Sequence, residues 1–411
     1  METPEPAQEI KATFLFVDLI NSTGISGVQD PTSYNRMLTE YQALLFDVIT
    51  DHVTRYRYAP RTSLSERGVD RRAGAEYEWE IAGDEGRVYL YSENPEYDVR
   101  SALQLAVKIK LAWLTSDFNA AAFEDKGLVF DVGTGVHAGK VIREVKAWRQ
   151  LLSERVPRVD GFAVNIGKKV EGFSRGGRLF RIDVSGNVRA MVEQGRRFAV
   201  KFSSDQQQKL KDSAITLAVF EVVAFLDHEA FLFFPEHLKD RMLKRVFALV
   251  ETGHLRRDLF WLYLAVMRYW LMDITGKPSS RVAADNVIRL GSAVINFATQ
   301  LSAPEQTYIR SYLAAVNNMV GLAYVARGLE SDTLFARKIF AATISRIDPQ
   351  NIAARVHLAR QYVDAGDYKA ATKQCADVLM LDPGNPAAEE IIQKGARQAV
   401  RQNAGTVRGD A

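Results

Sequence analysis

The sequence predicts an α+β domain followed by an all-α region, and three observations carry that prediction. Short apolar runs alternate with helical spacing over residues 1–235. From Glu236 onward only helical periodicity is found. Near the end, Asp348-Pro349 and Asp382-Pro383 recur 34 residues apart, which is the period of a helix-pair repeat. The expected organisation is therefore an α+β domain over 1–235, a helical domain over 236–400 and a disordered tail over 401–411.

The elements follow in order. Ala12 to Leu19, ATFLFVDL, is a compact apolar run typical of a buried strand, and it ends in the polar turn Asn21-Ser22-Thr23-Gly24. Tyr34 to Val53 places Met37, Tyr41, Leu44, Leu45 and Val48 on one helical face. The arginine-rich stretch from Arg55 to Arg72 reads as a solvated loop. Tyr77–Ala82 and Arg87–Tyr91 form a hairpin with Gly83-Asp84 at its tip. Ala102–Trp113 is helical. Val129–His137 and Lys140–Glu144 read as a second hairpin around Ala138-Gly139. A helix over Phe162–Phe173, a strand over Arg178–Val184, a short helix over Val188–Glu193 and strands at Phe198–Phe202 and Leu217–Phe225 complete the domain.

Helices follow at Met242–Val250, Leu255–Met272, Val282–Leu301, Tyr308–Ala326 and Thr333–Ile347. Between the two Asp-Pro pairs, Leu358, Ala359, Tyr362, Gly366, Asp367, Tyr368 and Ala371 fall at the spacing of a tetratricopeptide unit, which this segment resembles. One such unit buries its apolar face only against neighbours, so the other helices must supply them.

Composition bounds the function. With 411 residues, 47% hydrophobic and 25% charged, the chain has the make-up of a soluble globular protein of two or three domains. A net charge of +3 carries no electrostatic footprint for nucleic acid. The single cysteine, Cys375, excludes a disulfide framework and a multi-cysteine zinc site, and points to a reducing cytoplasm. Met1–Glu9 is acidic and proline-bearing, unlike a signal peptide. The most apolar stretch, Leu259–Met272, is too short to span a bilayer and contains Arg268, so no membrane attachment is expected.

Four pieces carry the chemistry. They are Phe16-Val17-Asp18-Leu19-Ile20-Asn21-Ser22-Thr23-Gly24, Glu80-Ile81-Ala82-Gly83-Asp84, Gly133-Thr134-Gly135-Val136-His137-Ala138-Gly139, and Gly161-Phe162-Ala163-Val164-Asn165-Ile166-Gly167-Lys168-Lys169. In this order they resemble the class III adenylate and guanylate cyclase family over roughly Ala12 to Phe202. The resemblance implies a class III nucleotidyl cyclase domain with a ferredoxin-like core. Such a domain closes a nucleoside triphosphate into its 3′,5′-cyclic monophosphate.

The residues themselves are consistent with that chemistry. A carboxylate at the end of a buried strand, Asp18, beside a second at a hairpin tip, Asp84, can bind two divalent metal ions. Hard oxygen ligands suit Mg2+ or Mn2+. By family analogy the Leu19 carbonyl completes one metal site. The turn Asn21, Ser22, Thr23 and Gly24 offers backbone N–H groups to the phosphates. Taken singly, Asp18 reads equally as a helix-side cap and Asp84 as a turn aspartate.

The resemblance also places Phe14 at the substrate, Asn165 at the ribose and Lys169 where the family has a transition-state arginine. Lysine there supplies charge without bidentate geometry, and read alone it is a solvated helix residue. Glu80 falls on the base-reading glutamate of guanylate cyclases. Arg158 departs from both family patterns, and a one-residue slip would put Asp160 in its place. Glu80 can accept an N–H and Arg158 can donate to a carbonyl, a pair that suits the uracil of UTP or guanine better than cytosine or adenine.

The domain plan further resembles the pyrimidine cyclases of bacterial phage-defence operons, which implies cyclic UMP or cyclic CMP as an alarm signal. The family resemblance implies a homodimer with each active site at the interface. The C-terminal helices are the expected contact for any partner protein.

Overall fold

The structure, a computed structural model, describes residues 8–21, 30–60, 69–71, 75–146, 156–177, 179–194, 200–203, 205–210, 215–225, 236–274 and 280–406. The chain divides into two compact units, Met1–Ala248 and Leu249–Ala411. The first is α+β and the second all-α.

The first unit is built on strands β1 (Gln8–Leu19), β2 (Tyr58–Pro60), β3 (Val69–Arg71), β4 (Glu76–Ala82), β5 (Glu85–Tyr91), β6 (Val132–Lys146), β7 (Val156–Asp160), β8 (Ile182–Ser185), β9 (Val200–Phe202), β10 (Gln206–Lys209) and β11 (Thr216–Phe225). Nine of these form one mixed sheet in the order β10-β11-β8-β6-β1-β5-β4, with β7 on β6 and β9 on β11. Strand β1 lies between β5 and β6 and is antiparallel to both. Its run Ala12–Leu19 is buried throughout, as expected for a central strand. The helices are α1 (Pro31–Arg57), α2 (Pro95–Leu114), α3 (Asp117–Lys126), α4 (Phe162–Ser174) and α5 (Gly186–Gln194).

Two expectations are corrected and one unpredicted helix is added. The Ala138-Gly139 turn does not exist, because β6 is one continuous strand of 15 residues. Its glycines are there for helix packing. A Cβ on Gly135 would lie 2.1 Å from the backbone nitrogen of Glu171, and one on Gly139 would lie 2.7 Å from Cβ of Ala163. Only glycine lets α4 lie this close to the strand. Helix α3 was hidden in the sequence by the absence of an amphipathic stripe; it is fixed by Ser116 at its start and Gly127, in the left-handed region at φ 64°, at its end. The arginine-rich segment is not wholly loop. Arg55 extends α1 and pairs with Asp51, and β2 and β3 form a short ladder. Arg61, Arg67 and Arg72 lie outside the described residues.

The second unit contains α7 (Phe260–Ile274), α8 (Ser280–Ala298), α9 (Ala303–Tyr308), α10 (Arg310–Arg327), α11 (Asp332–Ala342), α12 (Ile352–Asp364), α13 (Tyr368–Leu381) and α14 (Pro386–Thr406); α6 (Glu236–Thr252) carries the division between the units. Helix α7 is buried from Phe260 to Met267, and its Phe260 ring stacks on Tyr312, whose hydroxyl donates to the Phe260 carbonyl at 2.7 Å. Phe260, Trp261, Tyr263 and Tyr312 are therefore core. The Asp-Pro repeat is a repeated helix cap. Asn351 donates to Asp348 and accepts from Ala354 N, and Asn385 does the same with Asp382 and Ala388 N. Helix α14 runs to Thr406, so residues 401–406 are helical rather than tail.

Candidate functional site

The site lies at the C-terminal end of β1. Side chains alternate across a strand, so Phe14, Phe16 and Asp18 share one face, which α4 covers. Gly167 of α4 approaches Phe16 within 2.7 Å of where its Cβ would be. Asp18 is opposite Gly133 on β6 and opposite Glu85 on β5. The two-residue turn Gly83-Asp84 joins β4 to β5, with Gly83 at φ 64° and its carbonyl held by Nε2 of Gln42 at 2.8 Å. This register sets Asp84 beside Asp18.

A cluster of charge surrounds Asp18. Nη2 of Arg175, at the end of α4, lies 2.5 Å from Asp18 Oδ2. Nζ of Lys168 lies 2.8 Å from Glu85 Oε2, 2.9 Å from Glu171 Oε2 and 3.8 Å from Asp18 Oδ2. Burial, then the charges of Asp84 and Glu171, push the Asp18 carboxyl up to about 6, against the pull of Lys168 and Arg175. Burial also acts on Glu85, but hydrogen bonds from Lys168 and Arg87 outweigh it and hold that carboxyl low. The hydroxyl of Tyr41 is fully buried with no hydrogen-bond partner among the described residues, and burial, then the field of Asp18 and Asp84, pushes its pKa far up.

The sequence reading gave no role in the site to Glu85, Lys168, Glu171, Arg175 or Tyr41. A signal was present for three of them: Lys168, Glu171 and Arg175 are spaced i, i+3, i+7, one face of one helix.

The predicted residues divide into groups. Asp18, Leu19 and Asp84 meet at the strand end and turn. Asn21 is in the left-handed region at φ 61°, just past β1, while Ser22, Thr23 and Gly24 lie outside the described residues. Asn165 and Lys169 are exposed and have no hydrogen bond or ion pair among the described residues. Lys169 is about 100° round the helix from Lys168, so this pair does not join Asp18 within the chain. Glu80 is exposed on β4, 3.6 Å from Arg87 Nη1. Arg158 is paired through its backbone with Glu144, and its side chain lies outside those described.

Phe14 is corrected. It is 0% exposed, with its ring packed between Tyr89 and His137, so it is core and cannot touch a substrate. His137 is structural. It is buried against Phe14, its Nδ1 is 2.8 Å from Ser185 Oγ, and burial lowers its pKa to about 4.

Among the described residues no group of three or more His, Cys, Asp or Glu side chains is arranged to hold a metal ion. The donor set at Asp18 nevertheless fits a hard divalent cation. It offers two carboxylates and a carbonyl, all oxygen, and Asp18 Oδ1 is buried without a hydrogen-bond donor among the described residues. No described helix is long and apolar enough to cross a membrane.

No protein-family model and no curated protein matches the chain. Solved structures similar to it include the adenylyl cyclase CyaB from P. aeruginosa, at 13% identity, covering 54% of this chain and 97% of that one, with a TM-score of 0.40. The guanylyl cyclase Cya2 is similar at 19% identity over 54% of this chain and 95% of its own, TM-score 0.40. An adenylate/guanylate cyclase/hydrolase from Silicibacter pomeroyi is similar at 16% identity over 52% and 97%, TM-score 0.33.

Proposed function

We propose that the α+β domain is a nucleotidyl cyclase that converts a nucleoside triphosphate, UTP by preference, into its 3′,5′-cyclic monophosphate and pyrophosphate. The observation that carries this reading is the Asp18–Asp84 pair, one carboxylate at a buried strand end and one at the adjoining turn, with an orphaned oxygen on Asp18. In the reaction the ribose 3′-oxygen attacks the α-phosphorus, the bond to the pyrophosphate oxygen breaks, and the 3′-hydroxyl proton is lost.

Asp18, Asp84 and the Leu19 carbonyl would hold two Mg2+ or Mn2+ ions, which when bound make the 3′-hydroxyl more acidic and offset charge at the phosphate. By the resemblance, Asn21, Ser22, Thr23 and Gly24 would contact the phosphates. Asn165 orients the ribose, and Lys169 supplies positive charge to the reacting phosphoryl group.

The exposed, unpartnered state of Asn165 and Lys169 supports a homodimer in which they complete the site of the second copy. Glu80 and Arg158 read the base, Glu80 accepting from uracil N3–H and Arg158 donating to O4. The product would serve as a second messenger in bacterial antiphage defence, and the tetratricopeptide-like helices α12 to α14 would contact a protein partner.

Incubating the full chain with each of the four triphosphates and Mn2+ tests the reading by product identity. Cyclic UMP should dominate. An exclusive cyclic GMP product would reject the pyrimidine preference, and nucleotide binding without turnover would reject catalysis.

A further inference from the structure

The two oxygens of Asp18 meet different surroundings. Oδ2 is held by Arg175 at 2.5 Å, while Oδ1 is buried with no donor among the described residues. Two cations face this carboxylate, and they are not held alike. Lys168 is committed to Glu85 and Glu171, at 2.8 and 2.9 Å, and is only within 3.8 Å of Asp18. The Glu171 side chain is 1% exposed, so moving Lys168 away would strand a buried carboxylate. Arg175 is freer. Its side chain is 53% exposed, it caps the end of α4, and its other contact, to Glu171 Oε1, is a long 3.6 Å. It can move into water at little desolvation cost.

We propose that Arg175 is a resident counter-cation that competes with the divalent metal for Asp18 and thereby sets the metal affinity of the site. This rests on the reading of Asp18 as a metal ligand. A divalent ion entering at Oδ1 would stand within a few ångströms of the guanidinium on Oδ2, and the two positive charges repel. Metal entry therefore releases Arg175 to solvent, while Lys168 stays with its two glutamates. The cations and the glutamate between them occupy one face of α4, so a single helix carries both the fixed charge and the displaceable one.

The test is a titration of the full chain with Mn2+ alone, free ion followed by electron paramagnetic resonance, with no nucleotide present. Arg175→Ala should bind Mn2+ about five-fold more tightly than the wild type, the upper range for losing a half-exposed ion pair. Arg175→Lys should stay within about two-fold of the wild type, because it keeps the charge. Arg175→Gln repeats the first arm with the helix end filled. Unchanged or weaker binding by the Ala and Gln variants overturns the proposal. Asp18→Asn separates the two ideas. Loss of binding there with no gain in the Arg175 variants rejects the competition alone, whereas wild-type binding by Asp18→Asn rejects the metal-ligand reading beneath it.

Discussion

Asp18 combines properties that are costly in a residue with only a structural role. It is a carboxylate at 7% exposure, surrounded by Asp84, Glu85 and Glu171, and one of its oxygens has no donor. Buried carboxylates ordinarily have every oxygen satisfied. The arrangement is accounted for if a cation completes it. His137 shows the contrasting, structural use of a buried polar group. It has a hydroxyl partner, and burial holds its pKa near 4, below the usual 6.5.

A depressed base in the folded state is neutral there, and the unfolded chain takes up its proton first. The contribution of His137 is therefore full above about pH 6.5 and is lost as pH falls toward about 4. The His137→Gln variant should lose less of its melting temperature between pH 7 and pH 5 than the wild type does. Equal loss in the two proteins would contradict this account of His137. At this scale the sequence placed Asp18 at the end of a buried strand and Asp84 at a hairpin tip, and that is where the two lie. It was not legible for Phe14, because no motif distinguishes a ring that lines a pocket from one that fills the core beneath it.

Helix α4 against β6 is the contact that builds the site, since it brings Lys168, Glu171 and Arg175 to the end of β1. Glycine sets that contact, and the prediction is correspondingly sharp. Gly135→Ala forces a Cβ to within 2.1 Å of the Glu171 nitrogen and should destabilise the domain by at least ~2 kcal/mol in urea unfolding. Gly172→Ala, on the open side of the same helix where an added Cβ meets nothing within 4 Å, should stabilise it by ~0.5–1 kcal/mol. Similar effects at the two positions would contradict the packing described.

The same glycines explain a misreading. Ala138-Gly139 has the composition of a turn, and the helix that requires Gly139 begins more than twenty residues later in the chain. A local pattern could not reveal that long-range contact. The strand β1, the hairpin β4–β5 and the helix α4 were legible because apolar runs and helical spacing report burial directly. The cap repeated at Asp348 and Asp382 was visible for a related reason: each copy is built from residues close in sequence.

On the scale of the whole molecule, the catalytic reading requires two copies. On that reading Asn165 and Lys169, exposed and without contact to Asp18 among the described residues, complete the site of the other copy. The protein should sediment as a dimer. Mixing Asp18→Asn with Lys169→Ala copies, each inactive alone, should restore about a quarter of wild-type activity through mixed dimers that carry one intact site. No recovery in a mixture shown to exchange subunits would place Lys169 outside the partner's site. The base preference and the role of the helical unit depend on Glu80, Arg158 and the repeated caps, and they stand or fall separately from the catalytic centre.

That centre is tested most directly by mass-spectrometric detection of product after the full chain is incubated with UTP and Mn2+, beside the Asp18→Asn variant. The account predicts cyclic UMP and equimolar pyrophosphate from the wild type and neither from the variant. Cyclic product formed equally by both proteins would contradict it, as would a wild type that forms no cyclic product from any triphosphate.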